Sequence, residues 1–182
     1  MVNYITFRQT ISKVYTDFLP NADGCHIDFT PVGEANNWEC VDEASPDEDD
    51  TYNYTTGATY DDYALENHGA AEGIINSVTA YARMRHTDES FNCRFGLRIG
   101  GSSFYSTAIA SPSSYETRNK VWGDTNPKTS SAWTWADIDA LQARVSTTTT
   151  GAGQIRWTQV YVVVDYTLPV VAAGRSFGFI FG

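Results

Sequence analysis

The acidic residues between positions 42 and 50 are the most distinctive chemical feature of the sequence. This run, DEASPDEDD, contains Asp42, Asp47, Asp49 and Asp50. Calcium prefers several hard oxygen ligands, and carboxylates close together in one loop can supply them along with backbone carbonyls. Asp61 and Asp62 could add oxygens from a neighbouring turn. The spacing of an EF-hand loop is absent, so a solvated acidic loop without any cofactor is the other interpretation.

Four tyrosines are predicted to lie at exposed loop tips, where they could contact a glycan or line a subunit interface. Tyrosine suits both roles, because its ring is apolar and its hydroxyl makes hydrogen bonds. The four residues are Tyr52, Tyr54, Tyr60 and Tyr105. The five tryptophans could instead form a stacking platform for sugar rings, or they could simply pack in the core. They are Trp38, Trp122, Trp133, Trp135 and Trp157.

No residue pattern indicates catalysis. The three histidines, His26, His68 and His86, are far apart and lack the spacing of zinc ligands. Ser102 and Ser103 follow two glycines, but the G-x-S-x-G pattern of a nucleophile elbow is absent. There is no phosphate-binding glycine loop followed by lysine, and no two carboxylates stand out as a glycosidase pair. The sequence therefore predicts a protein that is not an enzyme.

Cysteine spacing and one sequon allow simple modifications. Cys25, Cys40 and Cys93 form no C-x-x-C pair, so they are expected to be free thiols, or Cys25 and Cys40 could form a disulfide. The sequon Asn53-Tyr54-Thr55 falls in a predicted exposed turn, where glycosylation is sterically feasible.

Charge and hydropathy exclude two classes of partner. The formal net charge is −10, and an acidic surface repels phosphate backbones, so no nucleic-acid partner is expected. No apolar stretch is long enough to cross a bilayer, and the first residues do not resemble a secretory signal.

Alternating side chains predict strands along most of the chain. Residues 74–86, 90–99 and 154–167 alternate most clearly, and in the first of these the set Ile74, Asn76, Val78, Ala80, Ala82 and Met84 is expected to face the core. Gly100-Gly101 is typical of a hairpin turn into a strand at 102–110. Further strands are predicted at 60–65 and around 115–122. This spacing favours an all-β, jelly-roll-like antiparallel β-sandwich.

One short helix interrupts the strands. Thr134 can cap its start with Asp137 three residues later. The apolar stripe Trp135, Ile138, Leu141 and Val145 predicts about three turns, followed by a flexible loop at 146–153. Residues 1–167 then form the sandwich domain, and 168–182 form an apolar tail carrying Phe177, Phe179 and Phe181. The tail is either a last strand of the same sheet or an assembly element that docks on a neighbouring subunit.

Several stretches resemble a group of virion-associated β-sandwich proteins from phages, archaeal viruses and metagenomes. They include NWECVDEASPDEDDTYNY, YDDYAL, INSVTAYARMR, VWGDTNPKTSSAWTWADIDALQARV and TQVYVVVDYT, and together they span about residues 38–166. The resemblance implies a jelly-roll fold on a virion or extracellular surface and carries over no catalytic residue.

Two functions follow from these observations. The first is a structural protein of an extracellular assembly, such as a capsid decoration, a tail or fibre component or a filament subunit. Its partners would be copies of itself or other virion or filament proteins. The alternative is a carbohydrate- or receptor-binding β-sandwich module.

Overall fold

The computed structural model describes residues 12–69 and 72–169, and these form an antiparallel β-sandwich of two sheets. The strands are β1 (Lys13–Phe18), β2 (Pro20–Ile27), β3 (Thr30–Val32), β4 (Tyr52–Thr55), β5 (Tyr60–Leu65), β6 (Ile74–His86), β7 (Asn92–Ile99), β8 (Ser102–Tyr105), β9 (Ile109–Ala110), β10 (Glu116–Val121), β11 (Leu141–Thr147) and β12 (Ile155–Thr167). A 3-10 helix covers Trp38–Cys40, and the helix α1 covers Trp135–Ala140. The predicted all-β sandwich with one short helix is confirmed.

The first sheet is organised around β12. Its strand order is β10-β6-β12-β4-β3, and β1 also pairs with β12. One edge of β12 pairs with β6 along its whole length. The other edge pairs first with β4, at Ile155–Trp157, and then with β1, from Val162 to Thr167. Three strands from separate parts of the chain therefore hydrogen-bond to this one strand.

The second sheet has the order β2-β5-β11-β7-β8, and β9 pairs with the start of β7. Gly100 and Gly101 connect β7 to β8 with φ angles of 50° and 88°, a left-handed conformation that glycine adopts without steric cost. The predicted hairpin turn is confirmed. The strand after it ends at Tyr105 rather than Ala110, because the chain turns away before pairing again with β7 as β9.

Apolar side chains from both sheets fill the space between them. The alternation predicted for β7 is confirmed, because Phe91, Cys93, Phe95, Leu97 and Ile99 are all buried. In β12 and β6, a bulge in each strand shifts the alternation of buried and exposed side chains. β12 carries an extra residue, Thr158, so Trp157 and Val160 both face inward. The second bulge lies in β6 at Asn76, so Ile75 is buried and Ile74 is 75% exposed, contrary to the predicted pattern.

The predicted helix is correct at its start and too long at its end. Thr134 and Asp137 form the expected capping box, with the Thr134 hydroxyl accepting from the Asp137 N–H. The helix ends at Ala140, and Leu141 begins β11. The sequence pattern places Leu141 and Val145 in a helical stripe, but they are buried in a central strand that pairs with both β5 and β7. Pairing on both sides outweighs the local helical pattern.

The ends of the chain were predicted as assembly elements. Residues 1–11 and 170–182, including Phe177, Phe179 and Phe181, lie outside the described residues, so those assignments stay predictions.

In the described ranges, no helix combines the length and apolar character needed to cross a bilayer.

Candidate functional site

The structure brings together two of the four tyrosines predicted to bind a glycan or a partner. Tyr60 begins β5 and Tyr105 ends β8, and both are half-buried on the outer face of the second sheet. Tyr52 and Tyr54 lie in β4 of the first sheet, where Tyr52 is only 9% exposed. The prediction that these two residues sit at loop tips was wrong, because β4 pairs with both β3 and β12.

Arg144 of β11 connects Tyr60 and Tyr105. Its guanidinium carbon lies 4.4 Å from the centre of the Tyr60 ring, a distance at which a cation and an aromatic ring attract each other. On the other side, Nη1 donates to the Tyr105 hydroxyl at 3.3 Å and to Ser103 Oγ at 2.7 Å. The Arg144 side chain is only 6% exposed, so it forms the floor between the two tyrosines.

Asp62 fixes the position of Arg144. The two residues are directly opposite each other in the pairing of β5 with β11. Arg144 Nε donates to Asp62 Oδ1, and Nη2 donates to Oδ2 at 2.6 Å, which is the two-pronged geometry that arginine and carboxylate favour. Asp62 is fully buried, partly because Gly24 of β2 allows that backbone to approach closely. A Cβ at Gly24 would lie 2.5 Å from the Asp62 Cβ.

The charge of Arg144 is retained in this buried setting. Burial alone would lower the pKa of Arg144, but hydrogen bonds to Asp62 and Tyr105 raise it well above its ordinary value. His26 Nδ1 lies 2.6 Å from Asp62 Oδ2, and its ring meets the Tyr60 ring edge-on at 4.7 Å. Each of Arg144, Asp62, Tyr60 and His26 therefore contacts at least one of the others.

Two further arginines of β7 flank this centre. Arg94 and Arg98 alternate with Gly96, which is directly opposite Arg144, so both arginines share the outer face. The Arg94 guanidinium lies 3.9 Å from the Tyr105 ring centre, and its buried Nε has no hydrogen-bond partner among the described residues. Arg98 Nη1 contacts the Cys25 sulfur at 3.3 Å. We call this surface the arginine–tyrosine face. It comprises Tyr60, Asp62, Arg94, Arg98, Tyr105 and Arg144.

The acidic loop contacts the outer face of the first sheet. Glu48 pairs with Arg83, and Asp49 pairs with Arg85 at 3.0 Å and Arg156 at 2.8 Å. Burial acts to raise the pKa of Asp49, but hydrogen bonds from Arg85, Tyr115 and Arg156 outweigh it and lower the pKa.

The other predicted calcium ligands also have local partners or neighbours of like charge. Asp47 accepts from the Thr51 hydroxyl at 2.9 Å, whereas Asp50 is exposed and uses its backbone N–H to donate to the Asp47 carbonyl. Burial and nearby glutamates raise the pKa of Asp42. Asp61 and Asp62 lie in β5 with different partners. The described residues contain no group of three or more His, Cys, Asp or Glu side chains placed to hold a metal ion, and calcium binding stays a prediction.

A shallow cleft of about 370 Å³ lies beside this loop on the first sheet. Its floor includes Tyr161, which stacks on Tyr81 with the ring centres 4.7 Å apart and the planes nearly parallel. The remaining lining residues are Asp17, Leu19, Ala44, Pro46, Thr117 and Gln159. An aromatic ring and polar groups therefore meet in this cleft as well.

The remaining sequence-based candidates are structural. Trp133 and Trp157 are buried, and the other three tryptophans are partly buried against the core, so none forms an open platform. No disulfide joins the described cysteines, and Cys25 is exposed whereas Cys40 and Cys93 are buried. The sequon prediction was wrong. Asn53 is fully buried in β4, and its amide donates to the Asn37 carbonyl at 2.6 Å.

Comparison with known proteins adds little to this description. No family model and no curated protein matches the chain. The xylan-binding CBM22-1 domain from Paenibacillus barcinonensis Xyn10C aligns with a TM-score of 0.41 and 8% identity, covering 86% of this chain and 87% of that domain. A family 29 carbohydrate-binding module from Piromyces equi gives 0.37 and 10%, with coverages of 84% and 91%. The cryo-EM structure of Broad Bean Stain Virus gives 0.28 and 10% over the full length of both chains.

All three TM-scores are below 0.5, so these similarities carry no argument about function. The resemblance to virion-associated proteins therefore stays a prediction.

Proposed function

We propose that this protein is a carbohydrate-binding β-sandwich module without catalytic activity, and that it binds saccharides on the arginine–tyrosine face. One observation carries the proposal. Tyr60 and Tyr105 lie on either side of the buried Arg144 guanidinium, which Asp62 holds through two hydrogen bonds. Aromatic rings and fixed polar groups on one surface provide the two kinds of contact that a sugar ring requires.

The face offers contacts for both the apolar C–H groups and the polar hydroxyls of a sugar. The C–H groups of a pyranose pack on an aromatic ring, and its hydroxyls exchange hydrogen bonds with polar side chains. Tyr60 and Tyr105 supply rings, and Ser103 and the arginines of β7 supply polar atoms on the same surface.

The face is also rigid. Its residues belong to β5, β7, β8 and β11, and the contacts of Arg144 and Asp62 fix the side chains before any ligand arrives. A site that is already ordered loses less conformational entropy on binding, so weak individual contacts suffice for measurable affinity.

Isothermal titration calorimetry against the hits of a broad glycan array tests the proposal. We expect Tyr60→Ala and Tyr105→Ala each to weaken binding about tenfold, since each removes an aromatic contact with the sugar. Tyr15→Ala is the matched control, because Tyr15 is 64% exposed on the first sheet and far from this face in the fold. Melting curves of all variants check that the fold is retained.

The same experiment can reject the proposal in two ways. Silence of the folded protein across the array would contradict carbohydrate binding. Binding that Tyr161→Ala abolishes and Tyr60→Ala leaves unchanged would move the site to the cleft on the first sheet.

A second candidate function is self-assembly on a virion or extracellular surface, and exposed apolar residues favour it. Ile74 is 75% exposed and Leu168 is 42% exposed. Ile74 pairs with Thr167, the residue before Leu168, and Lys13 of β1 pairs with the same threonine. Two exposed apolar residues, Ile74 and Leu168, therefore lie at the same end of β6 and β12, an end that a second copy of the chain could cover.

Light scattering after size-exclusion chromatography tests this candidate. We expect the wild-type protein to form an oligomer that the double substitution Ile74→Asp, Leu168→Asp dissociates. Ile27→Asp is the control, because Ile27 is 56% exposed but lies in β2 of the other sheet. A wild-type protein that is monomeric at high concentration would rule this candidate out.

A further inference from the structure

We infer that the arginine–tyrosine face selects acidic saccharides, meaning sugars that carry carboxylate or sulfate groups. The inference rests on the proposed function and adds a ligand class to it. Some charges of the face are neutralised by other groups of the protein, and others are left for a ligand.

Arg144 is a positioning residue in this scheme. Its Nε and Nη2 are taken up by Asp62, and its Nη1 donates to Ser103 and Tyr105. A ligand would therefore find few unused donors on Arg144. The role of Arg144 is to hold the two tyrosines at the right spacing and to keep the centre of the face flat.

Arg94 differs from the other arginines in the described ranges. Arg83, Arg85, Arg118, Arg144 and Arg156 each pair with a carboxylate within 4 Å. Arg94 has no such partner among the described residues, and its buried Nε has no acceptor there. The charge of Arg94 is instead placed over the Tyr105 ring, on the surface where the sugar is proposed to bind.

Arg98 is also incompletely neutralised. Among the residues that the structure describes, its one carboxylate partner is Asp62, which it shares with Arg144 at the longer distance of 3.6 Å from Nε, and its Nη1 meets only the weakly accepting sulfur of Cys25. The arginine–tyrosine face thus carries three guanidinium groups and one carboxylate, which pairs with Arg144 and Arg98. The whole chain has 22 acidic residues and 12 lysines and arginines, so this local excess of positive charge is opposite in sign to the protein as a whole.

The spacing of the two arginines suits an oligomer with repeated charges. Arg94 and Arg98 are four residues apart on one strand, which places their Cα atoms about 13 Å apart. Gly96 between them lets the β8 backbone approach closely, because a Cβ at Gly96 would clash with the Phe104 carbonyl oxygen, and this brings Tyr105 between the two arginines. Arginine binds carboxylate and sulfate oxygens through paired hydrogen bonds, so each guanidinium could hold one acidic group of the same chain.

The test compares oligogalacturonate with its carboxyl-reduced, neutral form, and dextran sulfate with dextran, by isothermal titration calorimetry. We expect the acidic member of each pair to bind more tightly and to lose affinity as salt increases, because added ions screen charge attraction. Arg94→Gln and Arg98→Gln should each weaken acidic binding about tenfold or more, in line with the loss of a charged hydrogen bond. Arg118→Gln removes an exposed arginine of β10 with the same charge change and should have no effect.

The outcomes separate this inference from the function on which it rests. Equal binding of acidic and neutral sugars, unchanged in Arg94→Gln and Arg98→Gln but lost in Tyr60→Ala, would overturn the acidic preference and leave carbohydrate binding intact. Failure of every saccharide to bind would overturn both. Tighter binding of a single-stranded DNA oligonucleotide than of either polyanionic sugar would also overturn the inference, because the ligand would then be a nucleic acid.

Discussion

Asp61 and Asp62 are neighbours in β5, yet their carboxylates belong to two different hydrogen-bond networks on opposite faces of the second sheet. Asp61 points inward, where it accepts from the Phe29 N–H at 2.8 Å and from the Asn37 amide at 2.6 Å. Asp62 points outward to Arg144. Both are fully buried, but within residues 12–69 and 72–169 only Asp62 has a cation to balance its charge. The two residues should therefore respond to mutation and pH in different ways.

Asp61 makes the stability of the protein depend on pH. Burial raises the pKa of Asp61 from 3.8 to about 6, although hydrogen bonds from Asn37 and Phe29 oppose the change. Between these two values the folded state binds more protons than the unfolded state, so the free energy of unfolding falls as the pH rises from about 4 to about 6. The free energy of unfolding that is lost over this pH range is roughly 3 kcal/mol.

Urea denaturation of the wild type and Asp61→Asn at several pH values checks this dependence. The variant has no carboxyl at this position, so its stability curve should be flatter than that of the wild type between pH 4 and 6. Parallel curves would show that Asp61 titrates normally. Other carboxylates titrate in both proteins and cancel in the comparison.

Asp62 and Arg144 should behave as a coupled pair. Removing either partner alone leaves an unbalanced buried charge, so Asp62→Ala and Arg144→Met should each destabilise the protein by about 3–5 kcal/mol. The double variant should lose clearly less than the sum of the two, because it buries no unpaired charge. Chemical denaturation of all four proteins measures the coupling. Strictly additive losses would show that the pair contributes little beyond its separate contacts.

The paired state of Asp49 predicts that calcium has little effect on stability. A bound ion would have to compete with Arg85 and Arg156 for the same carboxylate. We expect equal melting midpoints in millimolar calcium and in excess chelator, and Asp49→Asn should cost less than about 1 kcal/mol, since this ion pair is largely exposed. A calcium-dependent rise in the midpoint that Asp49→Asn removes would instead establish a binding site.

The three thiols should differ in reactivity. Cys25 is exposed, whereas burial raises the pKa of Cys40 and raises that of Cys93 to about 12. Only the thiolate attacks a disulfide reagent, so Ellman's reagent should label one thiol of the native protein quickly and all three after unfolding. Cys25→Ser serves as the control and should abolish the fast phase. Rapid labelling of more than one thiol in the native state would contradict the burial of Cys40 and Cys93.

The regular parts of the fold could be predicted from the sequence, but the irregular parts could not. Alternation identified β6, β7 and β12, because one face of each strand packs in the core. The bulges at Asn76 and Thr158 are defined by the partner strand, so no pattern within either segment reveals them. Leu141 and Val145 fit a helix when considered alone, and only pairing with β5 and β7 makes that segment a strand.

The candidate site was predictable only in part, for a related reason. Tyr60 and Tyr105 stood out because exposed tyrosines are common in binding surfaces. Arg144 did not, because its segment was predicted to be helical and its partner Asp62 is 82 residues away in the sequence. The alternation of Arg94 and Arg98 along β7 was visible, but the tyrosines beside them depend on how β7, β8 and β11 are arranged in the sheet.

The central position of β12 also constrains how the protein is made. Among the described residues β1 pairs with no strand other than β12, and β4 and β6 each lack one of their two partner strands until residues 155–167 have left the ribosome. Until then, their backbone groups and apolar faces remain available to wrong partners, and closing pairs as distant as Lys13 and Thr167 is slow. The sandwich should therefore assemble late in translation, and chains that stop before Ile155 should need chaperones or be degraded.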